Sequence, residues 1–87
     1  MKRKNLILHK VSELKLRSVF SRVFGIPIDK LPRAIDTDTI AVWDSLIHLS
    51  LIEALEQEYG VAISQADAVT MLSQADIVRV LERILLK

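Results

Sequence analysis

Apolar residues recur at helical spacing in three segments of the chain, separated by glycine, proline and polar runs. In the first segment they form one stripe of residues three or four positions apart, which is typical of an amphipathic helix. The stripe consists of Leu16, Val19, Phe20, Val23 and Phe24. Ser12 fits the N-cap position, residues 6–11 could extend the helix backwards, and Gly25 is the predicted stop.

The second helical segment is predicted to begin after Asp44 and to end near Gly60, because aspartate favours the N-cap and glycine follows many helix C-termini. The residues predicted to face inward are Leu49, Leu51, Ile52, Leu55 and Tyr59. The residues predicted to face outward are Leu46, Ile47, Ser50, Glu53, Ala54 and Gln57. Two apolar residues on an outward face make that face a candidate docking surface.

Two matching helix starts follow, Ser64-Gln65-Ala66-Asp67 and Ser73-Gln74-Ala75-Asp76. A serine three positions before an acidic residue is a capping signal. We predict a short helix from Gln65 to Val69 and a longer one from Gln74 to Leu86. The longer helix would turn Ile77, Val80, Leu81, Ile84 and Leu85 inward and Arg79, Glu82 and Arg83 outward.

The connection between the first two helices, residues 26–43, is long for so small a domain. Pro27 and Pro32 oppose helix formation within it. Its apolar residues, Ile26, Ile28, Leu31, Ile35, Ile40 and Val42, are too many for a free linker, so we expect them to pack inward. The predicted fold class is therefore all-α: a small four-helix bundle, with three longer helices and one short helix, and a long first crossover.

A chain of 87 residues that is 51% hydrophobic and 26% charged is expected to fold as one domain. The absence of cysteine excludes disulfides, thiolate metal sites and cysteine nucleophiles. No apolar run approaches the roughly 20 residues of a membrane span, and no secretory signal is recognisable. We therefore expect a cytoplasmic protein without a membrane partner.

Charge is distributed unevenly although the formal net charge is only +1. Residues 1–33 hold nine Lys and Arg against two acids, whereas residues 34–87 hold three against nine. A basic N-terminal element could contact nucleic acid or anionic lipid, but a nucleic-acid-binding domain is usually basic throughout. We therefore favour a solvated basic extension, residues 1–11, ahead of a helical domain, residues 12–87, and expect no nucleic-acid partner.

The run Trp43-Asp44-Ser45-Leu46 places a serine in the first turn of the second predicted helix, directly after its N-cap. The first turn offers unpaired backbone N–H groups and the positive end of the helix dipole. A phosphate ester at Ser45 would be stabilised there. Ser45 is therefore the principal candidate for a functional residue, as an attachment point.

Catalysis and metal binding are the competing interpretations of this region. Asp44, Ser45 and His48 include the residue types of a hydrolase triad, but Asp44 is needed as the cap and His48 is predicted to pack at the core edge near Ile52 and Leu55. The acids of the crossover lack the spacing of a calcium loop, and no zinc pattern exists. We predict no catalytic residue, no metal site and no enzymatic activity.

Taken together, these features resemble the acyl carrier proteins. The resemblance lies in Trp43-Asp44-Ser45-Leu46, in Leu55-Glu56-Gln57-Glu58-Tyr59-Gly60, in Val61-Ala62-Ile63 and in the short-then-long helical tail, and it covers roughly residues 12–86. In that family the serine of Asp-Ser-Leu carries 4′-phosphopantetheine, and Ser45 matches that serine. The resemblance implies that the terminal thiol of this arm holds an acyl or aminoacyl group as a thioester.

The motif Trp-Asp-Ser-Leu-x-His is most similar to that of stand-alone carriers of specialised pathways. Carriers of general fatty acid synthesis usually have small residues before the aspartate and carboxylates along the second helix, where this chain has Trp43, Ile47 and Ser50. The resemblance implies a cytoplasmic monomer acting in fatty acid or secondary-metabolite biosynthesis. Its partners would be a phosphopantetheinyl transferase, an acyl-activating ligase or acyltransferase, and a downstream synthase. The predicted partner-binding residues are Asp44, Leu46, Ile47, Ser50, Glu53 and Ala54.

Two other hypotheses stay open at the level of sequence. The chain could be an unmodified, carrier-like helical adaptor that binds proteins through Leu46, Ile47 and Ala54. It could also be a nucleic-acid module that uses the basic first helix, although the acidic second half would repel phosphates. The sequence does not identify the acyl group.

Overall fold

The computed structural model describes residues 11–86, and within that range it contains four α-helices. They are α1 (Glu13–Phe24), α2 (Ser45–Tyr59), α3 (Gln65–Ala68) and α4 (Gln74–Leu85), with a 3-10 turn at Ile28–Lys30 in the crossover. The protein is a small helical bundle, and the predicted all-α class, with three longer helices, one short helix and a long crossover, is confirmed. Helices α3 and α4 each end one residue earlier than predicted.

Local capping chemistry fixes the helix boundaries. Each helix begins after a side chain that accepts a hydrogen bond from the backbone N–H three residues further on. The capping residues are Ser12, Asp44, Ser64 and Ser73. Gly25 and Gly60 end α1 and α2 with φ of 71° and 64°, a left-handed conformation that glycine adopts without strain.

One continuous core joins the three longer helices to the crossover. Each of these elements contributes side chains that are almost completely buried. They include Leu16, Phe20, Ile40, Leu51, Leu55, Met71, Ile77 and Leu81. Val11, assigned from sequence to the basic extension, is 8% exposed and belongs to this core. The packed domain therefore begins before Ser12. The proposed backward extension of α1 through Val11 is wrong, because Ser12 is the extended N-cap and Val11 is not helical. Residues 6–10 lie outside the described residues.

The crossover packs only part of its apolar content. Leu31, Ile35 and Ile40 are buried as predicted. The prediction is wrong for Ile28 and Val42, which are 41% and 47% exposed. Ile28 begins the 3-10 turn, none of whose residues is buried. Val42 lies in a turn closed by a 3.1 Å hydrogen bond between the Trp43 N–H and the Ile40 carbonyl, and only the two ends of that turn enter the core.

Backbone hydrogen bonds attach the second half of the crossover to the connection between α3 and α4. The Thr37 N–H donates to the Leu72 carbonyl over 3.2 Å, and the Gln74 N–H donates to the Ile35 carbonyl over 2.8 Å. Between them lies an isolated antiparallel bridge of Asp36 with Ser73. These bonds bring the crossover and the α3–α4 connection together beside the start of α2.

Helix α2 differs from its predicted orientation at three positions. Leu49, predicted to face inward, is 63% exposed. It lies about 120° around the helix axis from Leu55 at 3.6 residues per turn, outside the buried stripe. Ile47 and Ala54, predicted to face outward, are half-buried and pack against the core. The remaining outward residues, Leu46, Ser50, Glu53 and Gln57, are exposed as predicted.

Two leucines of α2 provide a matched test of this orientation. Leu55→Ala removes a side chain with no exposed surface and is expected to lower the free energy of unfolding by about 2–5 kcal/mol. Leu49→Ala, in the same helix, is expected to change it by less than about 0.5 kcal/mol, because Leu49 is largely in water already. Urea denaturation measures both values, and similar losses for the two variants would contradict the observed rotation of α2.

Candidate functional site

Ser45 is the first residue of α2, and its side chain is exposed. The Asp44 carboxylate accepts the Ile47 N–H over 2.9 Å, and the Asp44 carbonyl accepts the His48 N–H over 2.8 Å. Among residues 11–86, no comparable bond engages the N–H groups of Ser45 and Leu46 or the Ser45 hydroxyl. At the positive end of the helix dipole, these groups therefore have no hydrogen-bond partner within the described part of the chain.

Ser45 opens onto a groove of about 590 Å³, which we call the Ser45 groove. The crossover contributes Thr37 and Trp43 to its lining, and α2 contributes His48 and Leu49 along with Ser45. The α3–α4 connection supplies the opposite side. Three separate segments therefore line this open groove beside Ser45.

Exposed apolar side chains concentrate around this groove. Leu49, Val69 and Leu72 line it, and Leu46 follows Ser45 directly. We call these four residues the apolar rim; they make up half of the eight large exposed hydrophobic residues of the described range. Leu46 is 72% exposed and Val69 is 61% exposed. Single exposed apolar residues are ordinary, but a cluster beside a polar site marks a contact surface.

His48 links the crossover to α3 across the groove. The Trp43 indole N–H donates to its Nδ1 over 3.1 Å, and its Nε2 lies 2.8 Å from the Ala68 carbonyl. An indole nitrogen only donates and a carbonyl only accepts, so the two contacts are satisfied by a neutral imidazole with its proton on Nε2. With both ring nitrogens engaged, His48 is not placed to act as a general base toward Ser45. His48 is half-buried, consistent with the packing role predicted for it, although its partners were not foreseen.

An ion pair attaches α3 to α4. The Arg83 guanidinium lies 2.6 Å from the Asp67 carboxylate, and this hydrogen bond holds the pKa of Asp67 below the usual aspartate value. Both groups are accessible to water, so the pair contributes mainly orientation. Helix α3 is thus connected to α2 by His48 and to α4 by Arg83.

The predicted partner-binding residues separate into three groups. Asp44 lines the Ser45 groove and Leu46 adjoins it. Ser50 and Glu53 are exposed further along α2, outside the groove. The other two predicted contacts, Ile47 and Ala54, are the half-buried residues described above.

Sequence reasoning missed four residues that line the groove. They are Thr37, Leu49, Val69 and Leu72. For Leu72 a signal existed: it is a large apolar residue in the predicted connection between the two last helices, where polar residues are more usual. Val69 was predicted to be the last residue of the short helix, and nothing in the sequence marked it as exposed. Their position beside Ser45, however, follows only from the tertiary packing.

Among residues 11–86, no group of three or more acidic or histidine side chains is arranged to hold a metal ion. Nor does any helix in this range combine the length and apolar character needed to cross a membrane. A scan against protein-family models finds no match for the chain, and a search of the curated proteins finds none either. The function must therefore be inferred from the site itself.

Stability measurements can separate the structural roles of Asp44 and Ser45. Asp44→Ala removes the cap of α2 and is expected to cost about 0.5–2 kcal/mol of unfolding free energy, while Asp44→Asn retains an acceptor and most of the stability. Ser45→Ala removes a hydroxyl without a protein partner and is expected to change stability by less than about 0.5 kcal/mol. A large loss in Ser45→Ala would indicate that this serine is retained for folding.

Proposed function

We propose that this chain is a discrete acyl carrier protein whose Ser45 bears a 4′-phosphopantetheine arm. When attached, the arm supplies a terminal thiol that holds an acyl or aminoacyl group as a thioester. The observation that carries the proposal is the exposed Ser45 hydroxyl at the first turn of α2, which has no hydrogen-bond partner among residues 11–86 and opens onto a groove with an apolar rim. The chain's sequence resemblance to acyl carrier proteins supports the same assignment.

The start of α2 suits a phosphodiester. Asp44 satisfies the N–H of Ile47, which leaves the N–H groups of Ser45 and Leu46 for the phosphate oxygens. An anion at a helix N-terminus is stabilised by about 0.3–1 kcal/mol when exposed. This contribution is modest. It stabilises the phosphate once it is attached, but it is too weak to hold the arm out of reach of partner enzymes.

Ser45 is better suited to attachment than to catalysis. A serine nucleophile needs a base within hydrogen-bond reach, and His48, three residues further along α2, is engaged by Trp43 and Ala68. The hydroxyl is free for an external enzyme to activate. A phosphopantetheinyl transferase would bind coenzyme A and supply the base that takes the proton of the hydroxyl. The Ser45 Oγ would then attack the phosphorus next to the pantetheine, and the pyrophosphate bond would break with adenosine 3′,5′-bisphosphate as the leaving group.

The apolar rim is proposed as the contact surface for the transferase and for the enzymes that load and unload the arm. Leu46 is the most exposed of its four residues and follows Ser45 directly, so any enzyme that reaches the serine must cover it. Ile47, considered central from sequence, packs partly against the core. Replacing Ile47 would therefore disturb folding, and Leu46 is the better position to test docking.

Incubation with coenzyme A and a broad-specificity phosphopantetheinyl transferase is expected to add one phosphopantetheinyl group to the wild-type chain and none to Ser45→Ala. Ser50→Ala is the matched control, because Ser50 is an exposed serine of the same helix. Intact-mass spectrometry reads out all three proteins. An unmodified wild type, or a mass increase that survives Ser45→Ala, would contradict the proposal. A partner that binds wild type and Ser45→Ala equally, with neither modified, would instead favour the adaptor hypothesis.

Leu46→Glu is expected to lower kcat/KM for modification of Ser45 by about tenfold or more, because it places a charge in the apolar contact. Leu14→Glu is the control: Leu14 is also 72% exposed, lies on α1 outside the groove, and the substitution changes the net charge identically. Initial rates at several carrier concentrations give kcat/KM, and circular dichroism checks that both variants remain helical. Equal rates for the two variants would exclude the apolar rim as the docking surface.

A further inference from the structure

Helix α3 depends on its neighbours for its position. It has only four residues, and a helix this short is not stable in isolation. Besides a local bond from the Thr70 hydroxyl to the Asp67 carbonyl, three side-chain hydrogen bonds hold it: Ser64 caps its N-terminus, Arg83 binds Asp67 from α4, and His48 reaches Ala68 from α2. Of these three contacts, only that of His48 connects α3 to the helix that carries Ser45.

The His48 ring is itself held in place. The Trp43 indole donates to its Nδ1, and the two rings lie nearly in one plane, with centroids 6.1 Å apart and planes inclined by 23°. Trp43 is 8% exposed and packs on Phe24, with ring centroids 5.1 Å apart. A continuous series of contacts therefore runs from the end of α1, through the crossover and the first turn of α2, to the last residue of α3.

The far end of this series determines one side of the Ser45 groove. Ala68 is followed directly by Val69, which lines the groove together with Leu72. The Ala68 carbonyl also accepts the Met71 N–H over 3.1 Å, and Met71 is completely buried. Releasing Ala68 from His48 would therefore loosen the end of α3 and the adjoining Val69, while the buried Met71 side chain still anchors the segment that follows.

We propose that His48 is a positioning residue for the modification of Ser45. It holds α3 against the start of α2, sets the width of the Ser45 groove, and keeps the apolar rim in the arrangement that partner enzymes contact. It does not touch the reacting atoms, because both of its ring nitrogens are engaged elsewhere. This inference rests on the proposed carrier function and adds to it the residue that shapes its docking site.

Two substitutions of His48 each keep the hydrogen bond of only one ring nitrogen, and a third removes both bonds. His48→Gln places an amide N–H at the end of the side chain, where it can still donate to the Ala68 carbonyl, but it removes the aromatic acceptor of Trp43. His48→Asn keeps an acceptor near the Nδ1 position but is too short to reach Ala68. His48→Ala removes both contacts. The three variants differ at one half-buried position, so their comparison corrects for any general loss of packing.

Trp43 is the only tryptophan, so a single indole N–H resonance reports its hydrogen bond in solution. This resonance is expected to shift in His48→Ala and His48→Gln. Exchange of the Val69 and Met71 amides is expected to accelerate in His48→Ala and His48→Asn but to stay slow in His48→Gln. The KM of the transferase for the carrier is expected to rise in the same variants in which amide exchange accelerates. The expected rise is about fivefold, because one neutral hydrogen bond is lost, and kcat is expected to stay largely unchanged.

The results separate this inference from the carrier function on which it rests. A wild-type chain that takes no arm contradicts the carrier function, and the inference falls with it. A modified wild type together with a His48→Ala variant of unchanged KM contradicts the role of His48 alone. If KM rises as much in His48→Gln as in His48→Ala, the inference is also overturned, because the hydrogen bond to Ala68 would then have no effect on KM. Recovery of the wild-type KM in His48→Gln, with slow amide exchange, supports it.

Discussion

Burial of one stripe of α2, formed by Leu51, Ile52 and Leu55, fixes the rotation of that helix about its axis. Because these residues are held in the core, Ser45 and Leu49, four positions apart, lie together on the side of α2 that faces the groove. A rotation of one residue would carry them away from the α3–α4 connection. This one rotation of α2 places the exposed hydroxyl, the groove and the proposed docking surface where they are.

The groove itself is assembled from segments with little stability of their own. The crossover is irregular, and α3 has only one turn, yet both are tied down by specific contacts: the bonds of Thr37 and Gln74 to the facing backbone, and the link from His48 to Ala68. Burial of Ile40 and Met71 anchors the same segments from the inside. A surface built this way has a defined shape at rest and can still adapt locally when a partner binds.

Local chemistry made the helix boundaries predictable. Ser12, Asp44, Ser64 and Ser73 each cap a helix through bonds that span three residues, so the sequence contains everything needed to recognise them. The same holds for the exposure of Ser45 in the first turn of α2. Five long apolar residues within the seven positions 46–52 leave the buried face of α2 ambiguous, which is why Leu49 was assigned to the wrong side.

The rest of the site depends on tertiary packing. Val69 and Leu72 lie more than twenty residues from Ser45 along the chain, and only the folded arrangement of the crossover and α4 brings them beside it. The partners of His48 could not be predicted from sequence either, because Ala68 lies twenty residues away along the chain and an imidazole can bond to many groups. Sequence alone therefore indicated the candidate attachment residue, whereas the surface around it required the structure.

The chain contains no cysteine, so a single introduced thiol reports the accessibility of the Ser45 position directly. The rate at which Ser45→Cys reacts with a thiol reagent, compared with the same variant unfolded in urea, is the most direct test of the central claim that α2 presents this residue to solvent. The folded variant is predicted to react at a rate close to that of the unfolded chain, while Leu51→Cys is strongly protected. Protection of the Ser45→Cys thiol similar to that of Leu51→Cys would contradict the claim.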